Sequence, residues 1–262
     1  MQVITRLAAL LLCLFATTAT AQPERPRPLG WAMDAMRAGN WDTAQRIAAR
    51  DGVVAADVIE WHRLRTGRGT YTEYMDFLNR RFDWPGMEYL RRQGEEAAIK
   101  AGTAAVRAYF AEAEPQTPRG VLAYADAMTE QGQTGEAQAS VVLAWTTLPM
   151  DTEEEALFLS RHSALLKPHH EARADTMLWL GELNEAERLR PLLDAGHQAL
   201  VEARIALAQR RDDVDARIAA VPAALQSDPG LQHARFVWRL RKGRSADAKA
   251  LLLERSASAA AL

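Results

Sequence analysis

From Leu29 onward the apolar residues of this chain return every three or four positions, the period of one face of an α-helix. Val121, Ala125 and Met128 form one such stripe, and Ala137, Val141, Trp145 and Leu148 form another. Val201, Ile205 and Ala208 form a third, which Leu200, Ala203 and Leu207 widen. No stretch alternates apolar and polar residues over the length of a strand, so the pattern predicts helices throughout. The helix starts carry their own chemistry. Thr117-Pro118 and Asp228-Pro229 each set a capping side chain before a proline at the first helical position, where the missing N–H has no partner to lose. Thr152 followed by Glu155 has the spacing of a capping box. The links between these segments are short and rich in Gly, Pro and Asp, which predicts antiparallel helical hairpins.

A small pattern recurs at the hairpins. Gly39 is followed five residues later by Ala44, and the same spacing returns at Gly132 and Ala137, Gly181 and Ala186, and Gly243 and Ala248. A fifth copy, Arg211 with Ala216, lacks the glycine. Glycine suits a left-handed helix C-cap, and alanine lets the second helix come close to the first. The last four copies begin 49, 30 and 32 residues apart, close to the two-helix unit of tetratricopeptide arrays. The expected fold is all-α: a superhelix or solenoid of antiparallel, tetratricopeptide-like helix pairs, with one core per neighbouring pair and a broad outer surface.

Composition narrows the setting. Ala, Leu, Arg and Glu dominate, and 48% of the 262 residues are hydrophobic against 25% charged, as in an ordered chain. Residues 1–21 read as a cleavable signal peptide: Arg6 is their sole charge, Leu7 to Ala16 form a short apolar run, and Ala19-Thr20-Ala21 supplies small residues for cleavage. The run is about half the length needed to span a bilayer. The single cysteine, Cys13, lies inside it, preceded by Leu12, which argues against a lipid anchor. Residues 22–262 then form the repeat domain, without cysteine. Setting Arg6 aside leaves 31 Lys and Arg against 34 Asp and Glu, a net charge of −3. Well-mixed charges near neutrality argue against nucleic acid and an anionic membrane as partners, and no second segment is apolar enough to span a membrane. The expected location is the periplasm.

Candidate chemistry is sparse. His169-His170 with His162 upstream is the first possibility, but adjacent histidines point about 100° apart on a helix, and Pro168 interrupts any helix joining His162 to His169. Glu153-Glu154-Glu155 falls in a first helical turn, where the helix dipole favours negative charge. Glu95-Glu96 falls on an exposed helix face by the same periodicity. Trp31, Trp41, Trp61, Trp84, Trp145, Trp179 and Trp238 are spread along the helices as core wedges, with sugar stacking the alternative. There is no phosphate loop, no Gly-x-Ser-x-Gly elbow, no His-Glu-x-x-His, and no carboxyl singled out as a glycosidase acid. No catalytic, cofactor-binding or metal-binding residue is assigned, and no cofactor is expected.

One family resemblance rests on particular residues. Phe82-Asp-Trp-Pro-Gly-Met-Glu-Tyr-Leu-Arg-Arg92, Leu178-Trp179, Arg204-Ile-Ala-Leu207, Val221-Pro, Asp228-Pro-Gly-Leu231 and Arg235-Phe-Val-Trp-Arg239 resemble the N-terminal superhelical, U-shaped region of soluble lytic murein transglycosylases, over nearly all of residues 29–256. The resemblance implies an exported enzyme family that cleaves the glycosidic bond between N-acetylmuramic acid and N-acetylglucosamine in peptidoglycan. In that family a separate C-terminal lysozyme-like domain carries the catalytic glutamate in a Glu-Ser motif. This sequence has no Glu-Ser pair and stops before such a domain. The chain alone is therefore expected to be inactive, a platform for peptidoglycan glycan strands or a brace for a catalytic domain in a full-length protein. The alternative reading is a periplasmic tetratricopeptide-type scaffold that binds protein partners.

Overall fold

The structure, a computed structural model, describes residues 28–259, with side chains through residue 254. The signal-peptide reading of residues 1–21, Cys13 included, lies outside the described residues. Every regular element among the described residues is helical, so the all-α expectation holds at that level. No helix among them is long and apolar enough to cross a membrane. Two compact units divide between Gly94 and Glu95.

The first unit contains α1 (Pro28–Arg37), α2 (Trp41–Ala48), α3 (Val53–Leu64), α4 (Tyr71–Arg80) and the first half of α5 (Met87–Ala101). Helices α1, α2 and α3 pack mutually around Ala32, Ala44, Ala48, Ala55 and Ile59, residues small enough to let the backbones approach. Thr70 and Glu73 close a full capping box at the start of α4. The buried Tyr74 donates its hydroxyl to the Leu64 carbonyl at 2.7 Å, and burial pushes the phenol pKa up to about 12. The buried Asp57 is held by Arg80 at 3.0 Å and by Arg81.

The second unit contains the rest of α5, then α6 (Thr103–Tyr109), α7 (Pro118–Glu130), α8 (Thr134–Thr147), α9 (Thr152–Leu166), α10 (His170–Leu180), α11 (Leu183–Leu189), α12 (Ala195–Gln209), α13 (Val214–Ala220), α14 (Pro229–Arg241) and α15 (Ser245–Ala259). Most consecutive helices pair, and a second ladder skips one element each time: α8 touches α10, α10 touches α12, and α12 touches α14. Helix α12 lies at the centre of this ladder. Its residues Ala203 to Leu207 are buried without a break, which exceeds the single stripe expected of a surface helix, although Ala208 is exposed.

The hairpin joints follow the glycine–alanine spacing in four of five cases. Gly39, Gly132, Gly181 and Gly243 all have φ between 74° and 84°, and Ala44, Ala137, Ala186 and Ala248 are all at most 3% exposed. Each alanine N–H opens its helix by bonding to the carbonyl of the residue that follows the glycine. At the fifth joint the left-handed residue is Arg210 (φ 57°) instead of Arg211, Ala216 is exposed, and Val214 fills the core position. An arginine there carries the strain that glycine avoids. The predicted caps Thr117 and Asp228 are in place, accepting from the N–H of Gly120 at 3.0 Å and of Leu231 at 2.7 Å. The predicted Thr152–Glu155 box is displaced by one residue: Asp151 and Glu154 make it, at 2.8 and 3.1 Å.

Candidate functional site

Each residue singled out in the sequence has a definite place. His162 sits at a kink in α9 (φ −133°), His169 in a 3-10 turn, and His170 is buried against Trp145 with ring centroids 5.6 Å apart. Burial holds the imidazoles of His162 and His170 below the ordinary histidine value. The three do not form a ligand set. The one group of metal-competent side chains among the described residues is instead Glu171, Asp194 and His197. There Asp194 caps α12 and accepts from its N–H groups, and His197 Nδ1 lies 2.6 Å from Asp194 and 3.4 Å from Glu171. Both acids belong to helix N-termini, whose positive dipole ends disfavour a cation.

The carboxylates are tied to cations and amides. Glu153 is exposed and pairs with Arg119 at 2.9 Å, while Glu154 belongs to the capping box. Glu155 is buried, 3.2 Å from Arg188 and 3.9 Å from Arg173. Glu95, expected on an exposed face, is 1% exposed: its carboxylate accepts from the N–H groups of Gln116 at 2.6 Å and Thr117 at 3.0 Å, and from the Thr117 hydroxyl. These partners lie 21 and 22 residues downstream, beyond any helical-face argument. Glu60 is held above the ordinary carboxyl value by burial against the opposing pull of Arg80. It shares Arg80 with Asp57 one turn earlier on the same helix, so the two acids flank a guanidinium and do not face a substrate across a cleft.

Three arginines organise the resemblance-bearing and core segments. In the first unit the Arg65 guanidinium lies between the rings of Trp61 and Tyr89, at 4.5 and 4.7 Å from their centroids. A side chain at Gly86 would meet it at 2.5 Å, so the Pro-Gly turn of the Phe82–Arg92 motif leaves room for this arginine. Trp84 of the same motif packs edge-on against Phe77 and Trp61.

In the second unit Arg173 is fully buried, lies 4.3 Å from the Trp145 ring centroid, and donates to the carbonyls of Trp145 and Leu148 at the open end of α8. Its other terminal nitrogen donates to Glu185 at 2.8 Å, and Glu185 accepts from the Met150 N–H at 2.8 Å. Burial pulls Arg173 down from the ordinary guanidinium value and pushes Glu185 up, while each partner's charge and the Met150 amide oppose the shift. A guanidinium is too strong a base to lose its proton here, so this is a closed internal ion pair that caps α8.

Arg204 collects the remaining motif residues. It pairs with Asp175 at 2.5 Å, lies 3.9 Å from Asp228, and sits 5.6 Å from the Trp179 ring centroid. A Cβ at Gly230 would fall 2.2 Å from its guanidinium carbon, so the absence of a side chain in the Asp228-Pro-Gly start of α14 leaves the Arg204 guanidinium its place. Two cavities flank Arg204. One, of about 170 Å³, is bounded by Leu178, Trp179, Leu207, His233, Trp238 and Arg241. The other, of about 240 Å³, is bounded by Asp175, His197, Leu200 and Asp228.

The tryptophans divide accordingly. Trp145 is a fully buried wedge, but Trp31 and Trp179 are 53% and 50% exposed, against the expectation for core residues. Sequence reasoning noted Asp228 as a helix cap, Trp179 as a core wedge or stacking residue, and both with Arg204 as motif members; their convergence needs the pairing of α10, α12 and α14, which no local pattern reports. It missed Arg173 and Arg65 altogether. No protein-family model, curated protein or solved structure matches this chain.

Proposed function

We propose that this chain is a non-catalytic superhelical platform that presents peptidoglycan glycan strands to, or braces, a lysozyme-like catalytic domain of the lytic transglycosylase type. The observation that carries the reading is the meeting of the motif residues. Trp179, Arg204, Asp228 and Gly230, scattered over 52 positions of sequence, close on one guanidinium. The Phe82–Arg92 motif closes on Arg65 in the same manner, by a Pro-Gly turn beneath an arginine stacked on aromatics. Motif members that build the joints between helices are what a shared framework requires. The alternating ladder of α8, α10, α12 and α14 fits helix pairs stacked into a superhelix. The periplasm, reached through the signal peptide read at residues 1–21, is where such a substrate lies.

Two measurements test the reading. Purified protein should sediment with murein sacculi and release no anhydromuropeptides from them. Measurable release would end the claim of a platform without chemistry, and failure to sediment would end the claim of glycan binding.

A second reading, a tetratricopeptide-type scaffold for protein partners, has its own support in a groove of about 680 Å³ beside α7 and α8. Val121, Tyr124, Met128 and the 64% exposed Leu143 line it. Capture of a defined envelope protein that is lost on Leu143→Glu, with no retention on sacculi, would favour this reading over the first.

A further inference from the structure

The 170 Å³ cavity beside Arg204 combines three features that the packing of the helices does not require. Its floor is apolar, from Leu178, Leu207 and Val237. One wall is aromatic: Trp179, half exposed, with His233 beside it at 4.8 Å between ring centroids. Two of its lining residues are cationic. Arg204 is already engaged by Asp175, but Arg241, which lines the same cavity, is exposed and has no hydrogen-bond or ion-pair partner among the described residues.

The surroundings add to the positive field. From Pro229 to Arg244 there are five Arg and Lys residues and no Asp or Glu, in a chain whose net charge is −2. An apolar floor beside an aromatic face suits a ring, and an unpaired guanidinium suits a carboxylate, which it can grip with two parallel hydrogen bonds. A cavity of about 150 Å³ accepts a benzene-sized ring, so this one, open at Trp179, takes one ring and not two.

We infer that this cavity binds a single carboxylate-bearing pyranose, its ring against Trp179 and its carboxylate on Arg241. The choice of a sugar acid over other ring carboxylates rests on the glycan-binding reading above. N-acetylmuramic acid is the matching unit, because it differs from N-acetylglucosamine by a lactyl ether that ends in a carboxylate.

The test is binding of the free monosaccharides to the purified chain, followed by ligand-observed NMR or calorimetry. N-acetylmuramic acid should bind at least about tenfold more tightly than N-acetylglucosamine, since one charge-assisted pair is worth about that factor. The preference should vanish in Arg241→Ala and shrink with added salt, and Trp179→Ala should weaken both sugars. Arg241 is exposed, so its removal leaves the fold intact, which circular dichroism checks. Equal binding of the two sugars, binding of neither, or a preference untouched by Arg241→Ala would overturn the site. Benzoate binding as tightly as the sugar acid would overturn the pyranose assignment. Sedimentation with sacculi separates this proposal from its foundation. If sacculi are bound equally by the wild type and both variants while free sugar acid is ignored, the cavity assignment falls and the platform stands. Discrimination of the free sugars without any retention on sacculi would do the reverse.

Discussion

Arg173 and Arg204 are both guanidinium groups buried close to a tryptophan in the second unit, and they differ in what closes around them. Arg173 has every neighbour supplied from within: two carbonyls at the end of α8, the carboxylate of Glu185, and the face of Trp145. Arg204 has two carboxylate neighbours, the nearer of them itself half exposed, a tryptophan that is half exposed, and a cavity on either side. In the first arrangement both terminal nitrogens of the guanidinium are occupied from within the joint, while the Arg173 Nε–H and the Trp145 indole N–H have no acceptor. The second is a joint left open on two sides, and the openness is what makes it a candidate for ligands. Burial of an arginine is thus no guide to function until its unfilled surroundings are counted as well.

Four substitutions or conditions sharpen this contrast. The largest effect should come from Arg173→Ala, which strands the buried Glu185 and two carbonyls and should cost about 3–5 kcal/mol by urea unfolding. The double change Arg173→Met with Glu185→Leu should recover much of that loss. If the single change costs under about 1 kcal/mol, the sealed description of this cluster is wrong. Arg204→Ala should cost less, about 1–2 kcal/mol, because the stranded Asp175 can turn to water.

Gly230→Ala should cost a similar amount or less, since its new methyl displaces only the end of the Arg204 side chain. The pair of changes together should cost little more than either alone, because both act through one guanidinium. Full additivity in that double-mutant cycle would show that the glycine serves something other than room for Arg204.

The smallest effect concerns pH. Burial lowers the folded-state pKa of His162 and His170, so the unfolded chain binds protons first on acidification. Their contribution to stability is therefore complete above the ordinary value of 6.5 and is lost as the pH falls through the folded values. Thermal melts between about pH 7.5 and 5 should decline on the acid side, and His170→Gln should flatten the decline. An unchanged slope would remove His170 from the account.

Much of the framework was legible because it is written locally. Helical period, the Thr117 and Asp228 caps and four glycine–alanine joints all depend on residues within a turn or two of one another. Errors arose where two local solutions compete or where the partner is distant. Asp151 and Thr152 are both competent caps, and each has a glutamate three residues on, so sequence could not choose the register. Arg210 adopts a conformation that sequence reserves for glycine, and nothing nearby announces it. Glu95 was misjudged because its partners are backbone amides in a loop 21 residues away. The candidate site escaped for the same reason: Trp179, Arg204 and Arg241 lie on three separate helices, and only the packing of those helices makes them neighbours.

The glycine–alanine joint also bears on how such a chain can diverge. Two positions in six, one setting a reversal of handedness and one admitting close contact, suffice to hinge one helix onto the next. The remaining surface of each pair need only stay greasy on one side and wet on the other. A helical chain specified so thinly at its joints can exchange most of its other letters while each pair still closes.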